Sequence, residues 1–174
     1  MSRIVPLDTP ATRPAPGSRF DRIDAAITRA LARFGIPVLR IGLGVVFLWF
    51  GVLKFFPSLS PAEDLAARTI QTLSFGTIPP SVSLPLLAVW ETVIGLGLIS
   101  GRFLRAILLL LAVQMLGTLT PLFLFPGETF TQFPFAPTLE GQYIIKNVVL
   151  IGAAMVVGST VRGGHLEPEA PGPR

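Results

Sequence analysis

The sequence predicts an all-α integral membrane protein: a four-helix transmembrane bundle with an N-terminal amphipathic interfacial helix and a short extracytoplasmic helix. Of its 174 residues, 51% are hydrophobic and only 14% are charged, whereas soluble proteins are about a quarter charged. Four long stretches contain no charged residue: 41–53, 69–90, 106–127 and 147–161. One small soluble core could not bury so many apolar segments, so the solvent around them must be lipid.

The region before the first span divides into a tail and a helix. Residues 1–17 contain four prolines and no hydrophobic periodicity, which predicts a disordered cytoplasmic tail. Ser18 and Asp21 form a capping box at the start of a helix over residues 18–35. Apolar residues recur on one face of this helix at helical spacing, and arginines lie toward the other. We therefore expect an amphipathic helix in the cytoplasmic membrane interface.

The four predicted spans make up a transmembrane domain over residues 36–160. Gly35 and Pro37 are expected to end the interfacial helix and to turn the chain into the membrane. The spans cover about residues 37–56, 82–100, 103–125 and 139–160. The very short link between the second and third spans predicts an antiparallel hairpin.

Two further segments are predicted to be ordered on the extracytoplasmic side. Ser60 and Glu63 form a capping box with a proline between them, which begins a short helix with an apolar stripe. That stripe places the helix either on the bundle or in the outer interface. The loop over residues 126–138 is rich in proline and phenylalanine, and we expect it to cap the outer mouth of the bundle. Residues 161–174 are rich in glycine and proline, which predicts a disordered cytoplasmic tail.

The distribution of basic residues predicts the orientation of the bundle. Seven of the fourteen Lys and Arg residues lie in the first forty residues, and Arg102 and Arg105 lie in the turn between the second and third spans. By the positive-inside rule these segments face the cytoplasm, so four spans place both termini there. Such a flank suits anionic lipid, so the pI of about 10.7 does not indicate nucleic acid binding. No early apolar segment with a cleavage site is present, which argues against a signal peptide.

The composition excludes several classes of site. The chain has no cysteine, which excludes disulfides, iron–sulfur clusters and a thiol nucleophile. Its single histidine, His165, lies in the C-terminal tail, which excludes a haem held by two histidines and argues against a metal site. The sequence carries no catalytic triad and no glycine-rich nucleotide loop. We expect a non-catalytic membrane subunit rather than an independent enzyme, with no intrinsic cofactor and no metal.

Polar residues inside the predicted spans form the candidate site. Burying such groups in lipid is expensive, so each needs a structural or functional reason. Glu91 and Gln114 lie near the middle of the second and third spans, and the others lie further toward the outer side. The candidate ligand-binding residues are Lys54, Glu91, Gln114, Tyr143, Lys146 and Asn147, with Trp49 and Trp90 as aromatic contacts. All four helices thus place polar groups in the outer half of the bundle.

Two interpretations of these residues remain open. In the first, a polar cavity capped by the 126–138 loop binds a quinone. Glu91 and Lys146 form its charged pair, Gln114 and Asn147 donate hydrogen bonds, and aromatic side chains, Phe123 among them, contact the ring. In the second, a Glu91–Lys146 ion pair only fixes the register of the helices. From the residues alone we favour the second, because buried ion pairs commonly hold bundles together.

Four segments resemble the DoxX-like family of small bacterial membrane proteins. Residues 42–57 (GLGVVFLWFGVLKFFP) resemble its first helix, and residues 90–102 (WETVIGLGLISGR) resemble its second. Residues 117–121 (GTLTP) and 141–147 (GQYIIKN) are similar to the third and fourth. The resemblance extends over about residues 36–160, and it implies a four-helix bundle in the bacterial inner membrane.

The resemblance also implies a set of functions. Some relatives are subunits of a thiosulfate:quinone oxidoreductase, and others belong to membrane oxidative-stress complexes or to a subfamily linked to reactive-chlorine resistance. Lys54, Glu91 and Lys146 match the recurrent polar residues of the family. The reactive-chlorine subfamily tends to have Lys-Asp in the fourth helix, where this chain has Lys146 and Asn147. The missing carboxylate weakens the case for a proton relay.

Three functions follow as hypotheses. The first, which we adopt, is a quinone- or lipid-binding accessory subunit of a membrane redox or oxidative-stress system. Its partners would be membrane lipids, a redox or stress-response protein, and further copies of this chain. The second is a small proton-coupled transporter or channel in which Glu91 carries the proton. The third is a structural or assembly factor for a membrane complex.

Overall fold

The structure, a computed structural model, describes residues 19–56, 59–60 and 63–164. The predictions for the N-terminal tail, for the Ser18 cap and for residues 165–174 lie outside the described residues, as does the proline of the second capping box. The described residues form seven helices and a two-stranded antiparallel sheet. The elements are α1 (Arg19–Leu53), α2 (Glu63–Leu73), α3 (Pro80–Ser100), α4 (Leu104–Leu119), α5 (Pro121–Leu124), α6 (Pro126–Thr129), β1 (Phe130–Gln132), β2 (Ala136–Pro137) and α7 (Leu139–Ser159).

Four helical segments are long and apolar enough to cross a membrane. They are Arg19–Leu53, Pro80–Ser100, Leu104–Leu124 (α4 with α5) and Leu139–Ser159. Together these segments make up about two thirds of the described residues. The prediction of an all-α bundle with four spans is therefore confirmed, and the protein is a multi-pass membrane protein.

The first helix does not end where the sequence predicts. α1 continues through Gly35 and Pro37 to Leu53, so the expected break between interfacial helix and first span is wrong. Gly35 is not among the glycines with positive φ, the conformation that the predicted helix-ending motif requires. Membrane helices tolerate an internal proline, because neighbouring groups can satisfy the carbonyl that it leaves without a donor. The chain divides after Gly35 into two compact units, and residues 36–164 form the second.

α1 and α3 approach each other closely through small residues. A β-carbon added to Gly51 would lie 2.7 Å from Thr92 N, and one added to Gly44 would lie 2.7 Å from Ile99 Cγ1. Only glycine fits at such crossings, which let the two backbones come together. Further apolar residues from α1, α3, α4 and α7 complete the core. Its buried members are Leu43, Phe47, Ile94, Leu98, Ile107, Leu111, Met115 and Val157.

The register of this crossing leaves room at one end of the bundle. Gly51 lies opposite Glu91 and Thr92, so the end of α1 at Leu53 reaches only the middle of the antiparallel α3. α3 extends on to Pro80, roughly 15 Å further at the helical rise. α2 packs against this remaining half of α3 and against α5. We call this end of the bundle the α2 end, and the opposite end, where α3 meets α4, the hairpin end.

Arg40 caps the C-terminus of α3 at the hairpin end. Its guanidinium donates to the carbonyl oxygens of Leu98 and Ile99, the latter at 3.1 Å. Gly101 follows in the left-handed conformation with φ of 71°, and its N–H donates to Gly97 O. A cation and a left-handed glycine are both favourable at a helix C-terminus. The predicted antiparallel hairpin between the second and third spans is present.

Candidate functional site

A cavity of about 630 Å³ lies in the α2 end of the bundle. Residues of α1, α2, α3, α4, α5 and α7 line it, and most of them are apolar, such as Leu65, Leu86 and Ile144. Because α1 ends opposite the middle of α3, the shorter α2 packs beside the remainder of α3. The cavity therefore follows from the place where α1 ends.

Three polar side chains meet on one wall of this cavity. Lys54 Nζ donates to Glu91 Oε2 at 2.7 Å, and Gln114 Nε2 donates to Glu91 Oε1 at 3.0 Å. The Lys54 and Glu91 side chains are each only 10% exposed. Both carboxylate oxygens thus have a donor, as a buried carboxylate requires. We call these residues the Glu91 triad.

The predicted Glu91–Lys146 pair is wrong, because Lys54 is the cationic partner of Glu91. Gly51 brings α1 against α3 beside Glu91, and Lys54 follows three residues later, so it lies on the same side of the chain. α7 packs chiefly against α4 instead. Lys54 was named as a candidate from the sequence, but its pairing depends on a register that the sequence does not show.

α7 supplies a second polar wall. Glu140, Tyr143, Lys146 and Asn147 all line the cavity, since residues three, four and seven apart share one face of a helix. Lys146 Nζ lies 5.6 Å from the centroid of the Tyr143 ring, and both side chains are exposed. Among the described residues, Lys146 forms no ion pair within 4 Å. The cavity thus has a paired charged wall and a second wall of polar side chains.

The two tryptophans have different positions. Trp90 lines the cavity, and its Nε1 donates to Leu110 O at 3.3 Å. Trp49 is 65% exposed and is not part of the lining. Phe50, which lines the cavity from α1, lies about a third of a turn away from Trp49 around that helix. Phe123, the third predicted aromatic contact, is 80% exposed and also lies outside the lining.

α2, and not the 126–138 loop, covers the cavity. Its lining residues are Leu65, Ala66, Thr69, Ile70 and Leu73, whereas no residue of the loop lines the cavity. The loop instead folds into α6 and the β1–β2 hairpin, held by Thr138, whose N–H donates to Thr129 O at 2.9 Å. The sequence left open whether this helix packs on the bundle or lies in the outer interface. Nothing in it predicted that the helix covers a cavity.

An ion pair connects α2 to this loop. Arg68 on α2 donates from both guanidinium nitrogens to the carboxylate of Glu128 on α6, with one of the bonds at 2.6 Å. The same guanidinium lies 5.3 Å from the centroid of the Phe125 ring. The hydrogen bond from Arg68 lowers the pKa of Glu128, and the bond to Glu128 raises the pKa of Arg68. Both residues lie outside the spans, and a bidentate pair of this kind fixes orientation as well as distance.

The cavity offers hydrogen-bonding groups rather than metal ligands. No group of three or more His, Cys, Asp or Glu side chains in the described part of the chain could hold a metal ion. The ammonium of Lys54 has three N–H bonds, of which one is directed to Glu91 and another makes a long contact of 3.5 Å with Phe50 O. The site can therefore bind the polar end of a molecule whose remainder is apolar.

Comparison with protein-family models identifies the family. The DoxX model matches residues 35–126, which is more than half of the chain. The protein belongs to the DoxX family. Searches among curated proteins and among solved structures found no match.

The matched range covers only part of the cavity of this DoxX protein. Lys54, Trp90, Glu91 and Gln114 lie within it, whereas α7 lies beyond its end. The likeness expected for residues 141–147 is therefore not part of the match. The residues of the Glu91 triad therefore lie within the region that matches the family, whereas the polar residues of α7 lie outside it.

Proposed function

We propose that this DoxX protein is an accessory membrane subunit that binds a quinone in the cavity at the α2 end. The observation that carries the proposal is the Glu91 triad, a buried and hydrogen-bonded charged group on the wall of an apolar cavity of about 630 Å³. Sites for small molecules are typically apolar cavities of about 300–1,000 Å³ with a few placed polar groups.

The chemistry of the two walls suits a ring with oxygen at opposite sides. Lys54 on one wall retains an N–H for a ligand oxygen, and Lys146 and Asn147 on the α7 wall provide further donors. Trp90 and Tyr143 can contact the flat ring. The apolar residues between them suit an isoprenoid tail.

The chain lacks the usual protein ligands of an iron–sulfur cluster or of a haem held by two histidines. It contains no cysteine and a single histidine, so electrons would pass between the bound quinone and a partner oxidoreductase. This makes an accessory subunit a better description than an independent enzyme. Participation in an oxidative-stress system, and an inner-membrane location with both termini in the cytoplasm, are parts of the same proposal.

The test is to identify molecules that co-purify with the protein. The wild type and the Asn147→Leu variant are purified in mild detergent, and their organic extracts are analysed by mass spectrometry. Asn147 lines the cavity without belonging to the Glu91 triad, so the bundle should assemble normally in the variant. We expect about one quinone per chain in the wild type and a clear loss in the variant.

Trp49→Leu is the matched control, because Trp49 lies in a span but outside the cavity lining. It should retain the wild-type amount of quinone. Equal amounts of quinone in all three proteins would mean that the quinone is carried by the detergent micelle and is not bound in the cavity. Absence of quinone from a folded wild type would contradict the proposal and leave the Glu91 triad with a structural role.

A further inference from the structure

The orientation of the Gln114 amide is set by Glu91. A carboxylate paired with a lysine only accepts hydrogen bonds, so Gln114 must present its NH₂ group to it. Gln114 Nε2 does so at 3.0 Å from Glu91 Oε1. The amide oxygen, Oε1, is therefore turned away from the carboxylate.

Gln114 Oε1 is accessible from the cavity. No donor in the described part of the chain bonds to it, since the one hydrogen bond of this side chain is made by Nε2. Among the described residues, Thr92 Oγ1 is the one side-chain atom that is both enclosed and without a partner. Oε1 is therefore not enclosed, and because Gln114 lines the cavity, this oxygen is an open acceptor on its wall.

Lys54 and Gln114 are held side by side, because they bond to the two oxygens of one carboxylate. Together they offer a bound molecule one donor, from the Lys54 ammonium, and one acceptor, Gln114 Oε1. A quinone carbonyl only accepts, so it would leave Oε1 without a donor in an apolar cavity. A hydroxyl both accepts and donates, so it can supply the donor that Oε1 lacks.

We infer that the cavity binds the reduced, hydroxyl-bearing form of its ligand, a quinol, more tightly than the quinone. Sites with buried polar groups discriminate strongly against a ligand that leaves one of them unpaired. The inference rests on the proposed function, and it assigns Gln114 as the residue that selects the redox form. A consequence is that the midpoint potential of the bound couple is higher than that of the free couple.

The experiment measures binding of a decyl-tailed benzoquinone and of its hydroquinone to the full chain in lipid nanodiscs, without oxygen. We expect the hydroquinone to bind about tenfold more tightly. For a two-electron couple this ratio corresponds to a midpoint potential about 30 mV higher in the bound state. In Gln114→Met, which keeps the length of the side chain and removes the acceptor, the ratio should fall to about one.

Thr118→Val is the matched control for the loss of a polar group in this wall. Thr118 also lines the cavity, but its hydroxyl already donates to Gln114 O at 2.8 Å within the helix. The tenfold ratio should therefore persist in this variant. The wild-type ratio is informative by itself, even where Gln114→Met folds poorly.

The outcomes separate the inference from the proposed function. Equal binding of both forms, or tighter binding of the quinone, would overturn the inference and leave a quinone site in place. Binding of neither form would overturn both. A diacylglycerol is the third probe, because its hydroxyl belongs to a lipid, and its binding without that of the hydroquinone would overturn the assignment to a quinol.

Discussion

Lys54 and Glu91 form a buried ion pair between α1 and α3, with Lys54 Nζ 2.7 Å from Glu91 Oε2. The pair sits where α1 ends and the cavity begins. It therefore fixes the end of α1 against the middle of α3, and it also supplies the charged wall of the cavity. A structural role at the α1–α3 contact and the proposed ligand-binding role therefore fall on the same side chains.

The first prediction concerns this pair. Lys54→Met leaves the Glu91 carboxylate buried with Gln114 as its remaining donor, and Glu91→Gln leaves the ammonium without its counter-charge. Removing one partner of a buried pair typically lowers the free energy of unfolding by about 3–5 kcal/mol. We expect each single variant to lower stability in this range. Because the double variant contains no unpaired charge, it should be more stable than the sum of the single changes implies.

Lys146→Met is the matched control for the loss of a lysine. Lys146 is exposed, and its contact is with the Tyr143 ring, so its removal should change the unfolding transition in detergent only slightly. If Lys146→Met proved as destabilising as Lys54→Met, the assignment of Lys54 as the partner of Glu91 would be contradicted.

The four spans could be predicted from the sequence because each contains a long apolar stretch with very few charged residues. Glu91 and Gln114 could be singled out for the same reason, since they interrupt apolar segments. The pairing of Glu91 could not be predicted, because it depends on how far α1 slides along α3. Gly51 against Thr92 sets that register, and a glycine in a membrane helix does not reveal which helix it faces.

The role of α2 was missed for a related reason. Its composition is that of an ordinary amphipathic surface helix, and it covers the cavity only because α1 ends early. The break predicted at Pro37 was wrong because a proline that would end a helix in water can remain inside one in a membrane. In both cases the neighbouring elements, and not the local sequence, decided the structure.

The second prediction concerns the contact between α1 and α3. In Gly51→Ala the new β-carbon would lie 2.7 Å from Thr92 N and 3.0 Å from Glu91 Cβ, so the two backbones must move apart. Overpacking of this kind costs about 1–3 kcal/mol, and it should also weaken the Lys54–Glu91 bond. Unfolding in detergent measures the loss of stability.

Gly42→Ala is the control on the same helix, because a β-carbon there meets nothing within 4 Å. It should be neutral, or more stable by up to about 1 kcal/mol through helix propensity. Equal effects of the two substitutions would show that Gly51 has no special role in packing.

The third prediction concerns Thr92, whose hydroxyl is enclosed without a hydrogen-bond partner. Thr92→Val replaces that hydroxyl with a methyl group of similar size. A buried polar group without a partner is destabilising by about 1–3 kcal/mol, so we expect the variant to unfold at the same temperature as the wild type or at a higher one.

Thr69→Val provides the comparison. Thr69 is also buried, but its hydroxyl donates to Leu65 O at 2.6 Å, so its removal should lower the unfolding temperature slightly. A greater loss of stability in Thr92→Val than in Thr69→Val would show that the Thr92 hydroxyl has a partner after all.

The last prediction concerns the pH dependence of the Arg68–Glu128 pair. The pKa of Glu128 is lowered from its ordinary value of 4.5 by the hydrogen bond from Arg68, so folding favours the ionised carboxylate. Its contribution to the attachment of α2 is complete above pH 4.5, and it is lost as the pH falls through the lowered pKa. Arg68 stays charged throughout this range, because the hydrogen bond to Glu128 raises its pKa above an ordinary value that is already high.

Spin labels measure this attachment directly, because the chain has no native cysteine. Labels are placed through Gln71→Cys on α2 and Leu139→Cys on α7, both at exposed positions. The distance distribution between them should be narrow at neutral pH and broader in acid. In Glu128→Gln it should be broad at both pH values, since the carboxylate that responds to pH is gone. A distribution in Glu128→Gln that still broadens with acid would assign the response to another group. Because α2 forms a wall of the cavity, the same loosening should lower the affinity for the bound hydroquinone in acid.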